Sequence, residues 1–288
     1  MAGIMKIFLL ISLLLIAFSN KCYSQRKNKC TTCNDHVEAK PGQFKKGEFF
    51  FSWGYNRAAY SKSDISFSGN RVDFTLSDVA AKDRPTPFNF SDYFIAITIP
   101  QFVMSGGYFF KDNWSISLGT DHMKYVMKKE QDVTINGTID SSNTNIYNGT
   151  YSNQQIHVQP DFLRYEHTNG LNYVNTGLEH YSVIWDAKEG PAKFTCVQGL
   201  SLSVLYPRSD VDIFNVEGTN VFHVAGWGAA LHLGFRFNIL KNFYVFWNNK
   251  GGYIDLPDVL CELNKYKAKQ HFFFYQTALS LGFNWRFK

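Results

Sequence analysis

Two cysteines near the start of the chain have the spacing of a chemical site. Cys30 and Cys33 are separated by two residues, with His36 close by, and this spacing occurs in zinc sites and redox-active pairs. A zinc site needs four ligands, and no second cysteine pair lies near this one. A redox pair needs a thioredoxin-like α/β unit around it, which the sequence does not predict. Two interpretations stay open, a local disulfide of an oxidising compartment or two free thiols.

A serine, a histidine and a carboxylate together can perform hydrolysis, and Ser203, His232 and Glu179 are the candidates here. They fall on consecutive predicted strands and could point to the same side. However, Glu179 is expected near the middle of its strand and Ser203 near the end of its own. Asp121 and His122 are adjacent, so a strand would direct their side chains to opposite faces. We therefore predict no catalytic residue, metal site or cofactor.

The elements that position these side chains are strands, because the apolar residues repeat with a period of two. The clearest run lies near residues 271–287. One face of this run carries mostly large apolar residues: Phe273, Tyr275, Thr277, Leu279, Leu281, Phe283, Trp285 and Phe287. The other face is mostly small or polar: Phe274, Gln276, Ala278, Ser280, Gly282, Asn284 and Arg286. Since successive strand residues point to opposite sides of a sheet, each face meets a different environment.

Eight such runs are present, and the connections between them alternate in length. The runs lie near 47–57, 99–110, 114–127, 171–186, 193–206, 221–239, 243–255 and 271–287. Short connections at 111–113, 186–192 and 240–242 alternate with longer polar ones at 58–98, 128–170, 207–220 and 256–270. A meander through a membrane has short turns on one side and long loops on the other. The order predicts an all-β fold, a closed antiparallel up-and-down transmembrane β-barrel of eight strands.

Composition favours a membrane over water around this barrel. Charged residues make up 18% of the chain and aromatic residues 17%, whereas an ordinary soluble domain carries about 25% charge. The interior of an eight-stranded barrel is just wide enough for side chains, so the small and polar face fits inside and the large apolar face meets lipid. A soluble barrel with the opposite arrangement is the alternative. The formal charge of +5 and the lack of a basic stripe predict no nucleic-acid partner.

The start of the chain is typical of an exported protein. Lys6 precedes an apolar stretch at residues 7–18, and small residues precede a cut before Gln25. An uncleaved anchor helix is the alternative, but this stretch is shorter than the roughly 20 residues that span a bilayer. We predict a signal peptide at 1–24, a flexible periplasmic segment at 25–46 and the barrel at 47–288.

The signal peptide, the alternating strands and the aromatic final strand resemble the small outer-membrane β-barrel proteins of Gram-negative bacteria. In that group the barrel-assembly machinery reads an aromatic residue at the end of the last strand, and Phe283, Trp285 and Phe287 form the corresponding segment. Phe287 is penultimate here because Lys288 follows it. The resemblance implies the cell outer membrane as the location, with outer-membrane lipid, lipopolysaccharide and the assembly machinery as partners. It identifies no activity, because this fold serves many functions.

Five charged residues fall on the small-residue face of their strands: Glu48, Glu179, Arg236, Lys250 and Arg286. A lysine or arginine facing lipid at mid-depth costs about 2–4 kcal/mol, so we predict that these residues form an interior charge network. The predicted function is a non-enzymatic outer-membrane barrel whose long loops bind a surface ligand or shield the surface. A barrel enzyme acting on lipid A or phospholipid is the alternative. A solute pore is disfavoured because eight strands leave no open channel.

Overall fold

The computed structural model describes residues 44–69, 71–87, 89–96, 100–262 and 266–287. The predicted signal peptide, Cys30 and Cys33 lie outside these ranges, as does the segment 25–46 except for its last three residues. The strands in the described ranges are β1 (Glu48–Tyr60), β2 (Ser63–Gly69), β3 (Val72–Val79), β4 (Ala81–Lys82), β5 (Phe102–Lys111), β6 (Trp114–Met127), β7 (Gln131–Ile139), β8 (Gly149–Val158), β9 (Leu163–Asp186), β10 (Lys193–Leu205), β11 (Asp210–Ile213), β12 (Gly226–Asn238), β13 (Phe243–Glu262) and β14 (Tyr266–Arg286). A short helix, α1, spans Phe90–Phe94.

Eight of these strands close into a barrel in which every neighbour is antiparallel. Their order is β1, β5, β6, β9, β10, β12, β13 and β14, and β14 pairs with β1 to complete the ring. The seam between β14 and β1 extends from Arg286 opposite Glu48 to Phe274 opposite Tyr60. The predicted eight-stranded antiparallel barrel is therefore confirmed.

The short connections form tight turns at one end of the barrel. Asp112 and Asn113 join β5 to β6, where Lys111 lies opposite Trp114. Asn113 has a φ of 63°, and asparagine tolerates this left-handed conformation better than most residues. The connections at 187–192 and 239–242 lie at the same end of their strands. The other end carries the long connections.

Large apolar side chains are exposed around the outside of the barrel. Leu118, Leu231 and Leu281 are 71%, 60% and 68% exposed. Further exposed members of this apolar band are Ile116, Val174, Leu178, Ile184, Leu200, Leu202, Val204, Trp227, Phe237, Phe243, Trp247, Phe273, Leu279 and Phe283. Soluble proteins rarely expose a continuous apolar surface of this extent, whereas lipid accepts it. The outer face is therefore the lipid-facing wall of a membrane-spanning barrel.

A few polar side chains interrupt the apolar band, and they bond to one another. The Gln198 side-chain nitrogen lies 3.0 Å from His180 Nδ1 and donates to Ser182 Oγ at 3.2 Å. The Trp114 ring lies against His180, tilted at 54° with a centroid distance of 4.7 Å. Mutual hydrogen bonds lower the cost of placing polar groups against hydrocarbon.

Strand β14 shows where the membrane-spanning part ends. Its outer face carries Lys267, Lys269 and His271, and from Phe273 onwards it carries aromatic and aliphatic residues. Its inner face changes in the opposite sense, from Phe272 and Phe274 to the polar and small residues Gln276, Ala278 and Ser280. One strand therefore passes from an apolar interior with a polar exterior to a polar interior with an apolar exterior.

The part beyond this change is a folded extension, which we call the head. It consists of the long-loop ends of β1, β6, β9, β13 and β14 together with β2, β3, β4, β7, β8 and β11. Tyr125 stacks on Phe272 with a centroid distance of 5.0 Å, and Phe67 stacks on Phe74 at 5.0 Å. These four rings belong to a continuous buried apolar core.

The head corrects the expectation that 58–98, 128–170 and 256–270 are polar loops. The first two stretches contain β2, β3, β4, β7 and β8, and the third holds the ends of β13 and β14. The reason is visible in the short alternating runs Ile65–Phe67 and Phe74–Leu76, whose members are buried beside Ile135 in the core. These runs turn their apolar residues inwards, away from water.

Helix α1 lies beside Tyr55, near the edge of the apolar band that adjoins the head. The Tyr55 hydroxyl donates to the Tyr93 carbonyl oxygen, and the two rings are 4.7 Å apart. Phe90 and Phe94 stack on each other at 4.6 Å and remain exposed. Within the described ranges, no helix is long and apolar enough to span a membrane.

The change of environment along β14 predicts that a lysine introduced at two positions of its outer face has very different effects on stability. Leu281→Lys places an ammonium against hydrocarbon and should lower the free energy of unfolding by about 2–4 kcal/mol. His271→Lys, ten residues earlier on that face, should change it by less than about 0.5 kcal/mol because the side chain meets water. Denaturant unfolding in lipid vesicles measures both values. Equal losses of unfolding free energy in the two variants would contradict the position of the boundary between the water-facing and lipid-facing parts of β14.

Candidate functional site

Side chains fill the interior of the barrel at membrane level. The cavity that remains has a volume of about 60 Å³ and is lined by Ser117, Glu179, His232 and Arg236 among others. A cavity of this size admits a few water molecules but no continuous column of water. The interior is therefore a packed polar core rather than a channel.

Lys250 and Asp121 form an ion pair in this core. The Lys250 ammonium donates to Asp121 Oδ2, and both side chains are 7% exposed. The ammonium also lies 5.1 Å from the centre of the Tyr173 ring. The sequence prediction included Lys250 and omitted Asp121. Ser115 and Ser117 point into the barrel. Continuing the same alternation by four residues along the strand would have predicted that Asp121 points inwards too.

Glu179 is held by hydroxyl groups. Its carboxylate oxygens accept hydrogen bonds from Ser115 Oγ and Ser117 Oγ, both at 2.9 Å, and from the Tyr181 hydroxyl at 2.8 Å. Among the ion pairs of the described residues, none includes Glu179. Three donors, two of them on the neighbouring strand β6, therefore stabilise this half-buried carboxylate.

Arg236 is 1% exposed, and amides and aromatic rings surround its guanidinium. Nε donates to Asn238 Oδ1 at 3.1 Å, and a terminal nitrogen donates to Asn284 Oδ1 at 2.7 Å. The guanidinium carbon lies 3.5 Å from the centre of the Tyr244 ring and 4.7 Å from that of Phe44. Cation–π contacts of this kind strengthen when water is excluded.

Phe44 closes the short-turn end of the barrel. Its ring lies 5.2 Å from Phe109 and 4.9 Å from Tyr181, and the Lys193 ammonium lies 3.9 Å from its centre. Its backbone nitrogen donates to Asn113 Oδ1 at 3.0 Å, and the Asn113 nitrogen donates back to the Phe44 oxygen at 3.0 Å. The sequence prediction had placed Phe44 in the flexible segment 25–46. A lone phenylalanine after a polar stretch gives no periodic signal, so only the fold reveals this contact.

The remaining two residues of the predicted network lie at the same end. Glu48 and Arg286 are opposite each other across the β1–β14 seam, and Arg286 is exposed. In the described part of the chain, no ion pair joins two of the five predicted residues. Direct ion pairs therefore do not connect them. Glu179 and Arg236 bond to neutral groups, and Lys250 bonds to an acid outside the predicted set.

The candidate set Ser203, His232 and Glu179 does not converge. Gly199 lies opposite Glu179 on one side and opposite His232 on the other. A Cβ atom at position 199 would meet His232 Nε2 at 2.7 Å, so only glycine lets the imidazole lie over this strand. Ser203 is four residues further along, roughly 13 Å at strand spacing, and its hydroxyl donates to the Gly228 oxygen at 3.2 Å. The three side chains cannot act on one substrate atom.

The aromatic end of β14 packs along the seam of the barrel. The Phe49 ring of β1 lies 5.8 Å from Trp285 and 5.4 Å from Phe287. Phe283 lies 5.8 Å from Phe51 in the same way. The three residues predicted to signal assembly therefore also join the first and last barrel strands, and their recognition by the assembly machinery stays a prediction.

Neutral polar groups are buried in the head beside its aromatic core. His167 is fully buried, and its Nδ1 lies 2.8 Å from Ser209 Oγ. Burial lowers the pKa of His167 to about 4, so the ring is neutral at pH 7. Gln270 donates to the Tyr125 hydroxyl at 2.6 Å, and burial raises the pKa of that hydroxyl to about 12.

The free thiols among the described residues are Cys196 and Cys261. Cys261 belongs to the core of the head, and burial raises its pKa to about 12. Because the thiolate is the reactive form, Cys261 is inert while the head is folded.

Comparisons with known proteins give only distant structural similarities. No protein-family model matches the chain, and no curated protein matches it. Among solved structures, the outer membrane protein OprG from Pseudomonas aeruginosa is 11% identical, with a TM-score of 0.39 over 84% of this chain and 98% of that one. The attachment invasion locus protein Ail of Yersinia pestis is 11% identical, with a TM-score of 0.30 over 83% and 99%. Neisserial surface protein A is 12% identical, with a TM-score of 0.33 over 85% and 99%.

The chain resembles the small outer-membrane barrels of Gram-negative bacteria. All three similarities have TM-scores below 0.5. They say nothing about a ligand or an activity.

The interior contacts predict that Asp121 matters more to stability than Glu179. Asp121→Asn leaves the Lys250 ammonium buried without an anion and should lower the free energy of unfolding by about 3–5 kcal/mol. Glu179→Gln keeps an oxygen that can accept from the same hydroxyls and should cost less, about 1–3 kcal/mol. Denaturant titration in detergent or vesicles measures both. Asp121→Asn combined with Lys250→Met should recover most of the loss, and failure to do so would contradict the ion-pair explanation.

The burial of neutral His167 predicts that the head weakens in acid. The unfolded chain binds a proton at this residue near pH 6.5, whereas the folded head resists protonation until about pH 4. The unfolded state therefore binds more protons in this window, and stability falls as pH decreases from 6.5 to 4. The full shift corresponds to about 3 kcal/mol.

Cys261 reports this opening, since its thiol reacts only when the core is exposed. With Cys30, Cys33 and Cys196 replaced by serine, urea-dependent reaction with dithiodipyridine should begin at lower urea at pH 4.5 than at pH 7. His167→Gln should reduce this difference between the two pH values. An unchanged difference in that variant would show that other groups cause the acid weakening.

Proposed function

We propose that this chain is an outer-membrane barrel that carries a folded head on the cell surface and acts there by binding or shielding. The barrel serves as the anchor, and the head is the functional part. Neither catalysis nor solute transport is part of this proposal.

Strand length is the observation that carries the proposal. Strands β9, β13 and β14 contain 24, 20 and 21 residues, whereas about 9–11 residues cross a membrane. The surplus extends beyond the apolar band, where it packs with β2, β3 and β7 around a shared apolar core. A chain that needed only to close a barrel would gain nothing from this second core.

The composition of the head surface supports a binding role. Strand β8 has most of its residues exposed, and it is the terminal strand of the sheet. Its exposed residues include Asn153, Gln154, Gln155 and His157. Polar side chains of this kind make adaptable hydrogen bonds to a partner.

The packed interior supports an anchor rather than a pore. The Lys250–Asp121 pair and the stacked Arg236 lie where a channel would run, and the remaining cavity of about 60 Å³ holds only isolated waters. The separation of Ser203 from Glu179 and His232 supports the absence of an interior hydrolase.

The proposal predicts that the head faces the medium and the short turns face the periplasm. Ser141→Cys, in the exposed β7–β8 connection, should react with a membrane-impermeant maleimide on intact cells. Glu189→Cys, in the exposed β9–β10 turn, should react only after the outer membrane is permeabilised. Both variants are made with Cys30, Cys33 and Cys196 replaced by serine. The reverse labelling pattern would invert the topology and reject a surface role.

Two further measurements separate the anchor from its alternatives. Purified protein in a planar bilayer should show little steady current, and a large stable conductance would indicate a pore. Mass spectrometry should find the same lipid A in cells with and without the protein. A gain or loss of an acyl chain would favour a lipid-modifying enzyme.

A further inference from the structure

A basic groove lies on the outer surface of the head. It has a volume of about 670 Å³, much larger than the cavity inside the barrel. It is lined by the cationic residues Lys82, Arg84, Lys128, Lys129 and Arg164, together with Glu166, Val126 and Met127.

The strand register explains why these side chains gather. Lys82 of β4 lies opposite Val126 of β6, which lies opposite Glu166 of β9. Residues directly opposite each other share a face of the sheet. Tyr125 points into the core, so its neighbour Val126 points outwards. Lys128 comes two residues after Val126, and Arg164 comes two residues before Glu166, so both point outwards as well.

Acidic residues hold the two arginines in place without neutralising the groove. Arg84 pairs with Glu166 at 3.2 Å, and Arg164 pairs with Asp210 at 3.3 Å and Asp212 at 2.8 Å. The side chains of Arg84 and Arg164 remain 60% and 42% exposed, and both line the groove.

The lysines supply the excess positive charge. Among the described residues, Lys82, Lys128 and Lys129 take part in no ion pair, and all three are exposed. Five cations and one carboxylate, that of Glu166, therefore line the groove, and Asp210 and Asp212 pair with Arg164 beside it. An excess of fixed positive charge attracts an anionic ligand.

The height of the groove restricts the source of such a ligand. Glu166 is eight residues beyond Val174, a lipid-facing residue at the upper edge of the band. The paired strand β6 covers this rise in six residues, from Thr120 opposite Val174 to Val126 opposite Glu166. At about 3.3 Å per residue and a tilt near 40°, this places the groove roughly 15 Å above the hydrocarbon. The head-group layer on each side of a bilayer is only about 5–8 Å thick. A phospholipid head group therefore does not reach the groove, whereas the saccharide of a glycolipid does.

We propose that the groove binds phosphate groups on the saccharide of lipopolysaccharide in the surrounding outer leaflet. The exposed parts of Arg84 and Arg164 offer N–H donors to phosphate oxygens, and the lysines act as point charges. This inference rests on the proposed function, because the head must lie on the lipopolysaccharide side of the membrane.

The test compares two double variants of the full chain in phospholipid nanodiscs. K82Q/K128Q removes two cations of the groove, and K62Q/K269Q removes two exposed lysines of the head outside it. The probe is the water-soluble phosphorylated core oligosaccharide released from lipopolysaccharide by mild acid. Calorimetry should show about fivefold weaker binding for K82Q/K128Q and unchanged binding for K62Q/K269Q. Phosphate-free oligosaccharide should bind the native chain as weakly as the intact probe binds K82Q/K128Q, or more weakly.

Several results would overturn the inference. Equal binding of phosphorylated and phosphate-free oligosaccharide would exclude phosphate recognition, and equal loss in both double variants would exclude the groove. Inorganic phosphate that competes at the concentration of the oligosaccharide would assign a free-anion site. Heparin that binds more tightly, with the same loss in K82Q/K128Q, would assign a sulfated glycan. Surface labelling of Ser141→Cys separates these failures from failure of the proposed function, because it reports head exposure whether or not the groove binds.

Discussion

Hydrocarbon offers no hydrogen-bond partner to a peptide group, and the architecture follows from this constraint. An open sheet edge within the membrane would leave backbone groups unpaired at several kcal/mol each. The pairing of β14 with β1 over thirteen residue pairs removes that edge. Phe49, Phe51 and their aromatic partners on β14 reinforce the join on the lipid side. The polar interior can exist only behind this closed wall.

Closure at eight strands then determines what the interior can contain. The lumen is narrow, so Lys250, Asp121, Glu179 and Arg236 lie within reach of partners and little space remains for water. Lys250 and Asp121 stabilise each other. Three hydroxyls stabilise Glu179, and amides with aromatic rings stabilise Arg236. The polar side chains inside the barrel therefore contribute to packing and stability, as apolar side chains do in the core of a soluble protein.

The sequence predicted the barrel well because a period of two in a lipid-facing strand is a strong signal. The run at 271–287 matches the membrane-spanning part of β14, and the run at 114–127 coincides with β6. The head was missed because its strands are short and bounded by polar residues, and their alternation covers only pairs such as Ile65 with Phe67. The sequence predicted that charged residues lie inside the barrel. Predicting that Lys250 pairs with Asp121 rather than with Glu179 requires the register between strands. No local pattern contains that register.

The sharing of β14 between barrel and head has a consequence for the order of assembly. Beyond the seam with β1, β14 pairs with β2 through Gln270 opposite Ile65, a contact between positions about 200 residues apart in the chain. Contacts of such sequence separation form late, because a long loop must close first. The sheet of the head therefore lacks a supporting strand until the last barrel strand is in position. The head matures together with its anchor, and it is not an autonomous module that could be detached, fused to another carrier or produced separately in water.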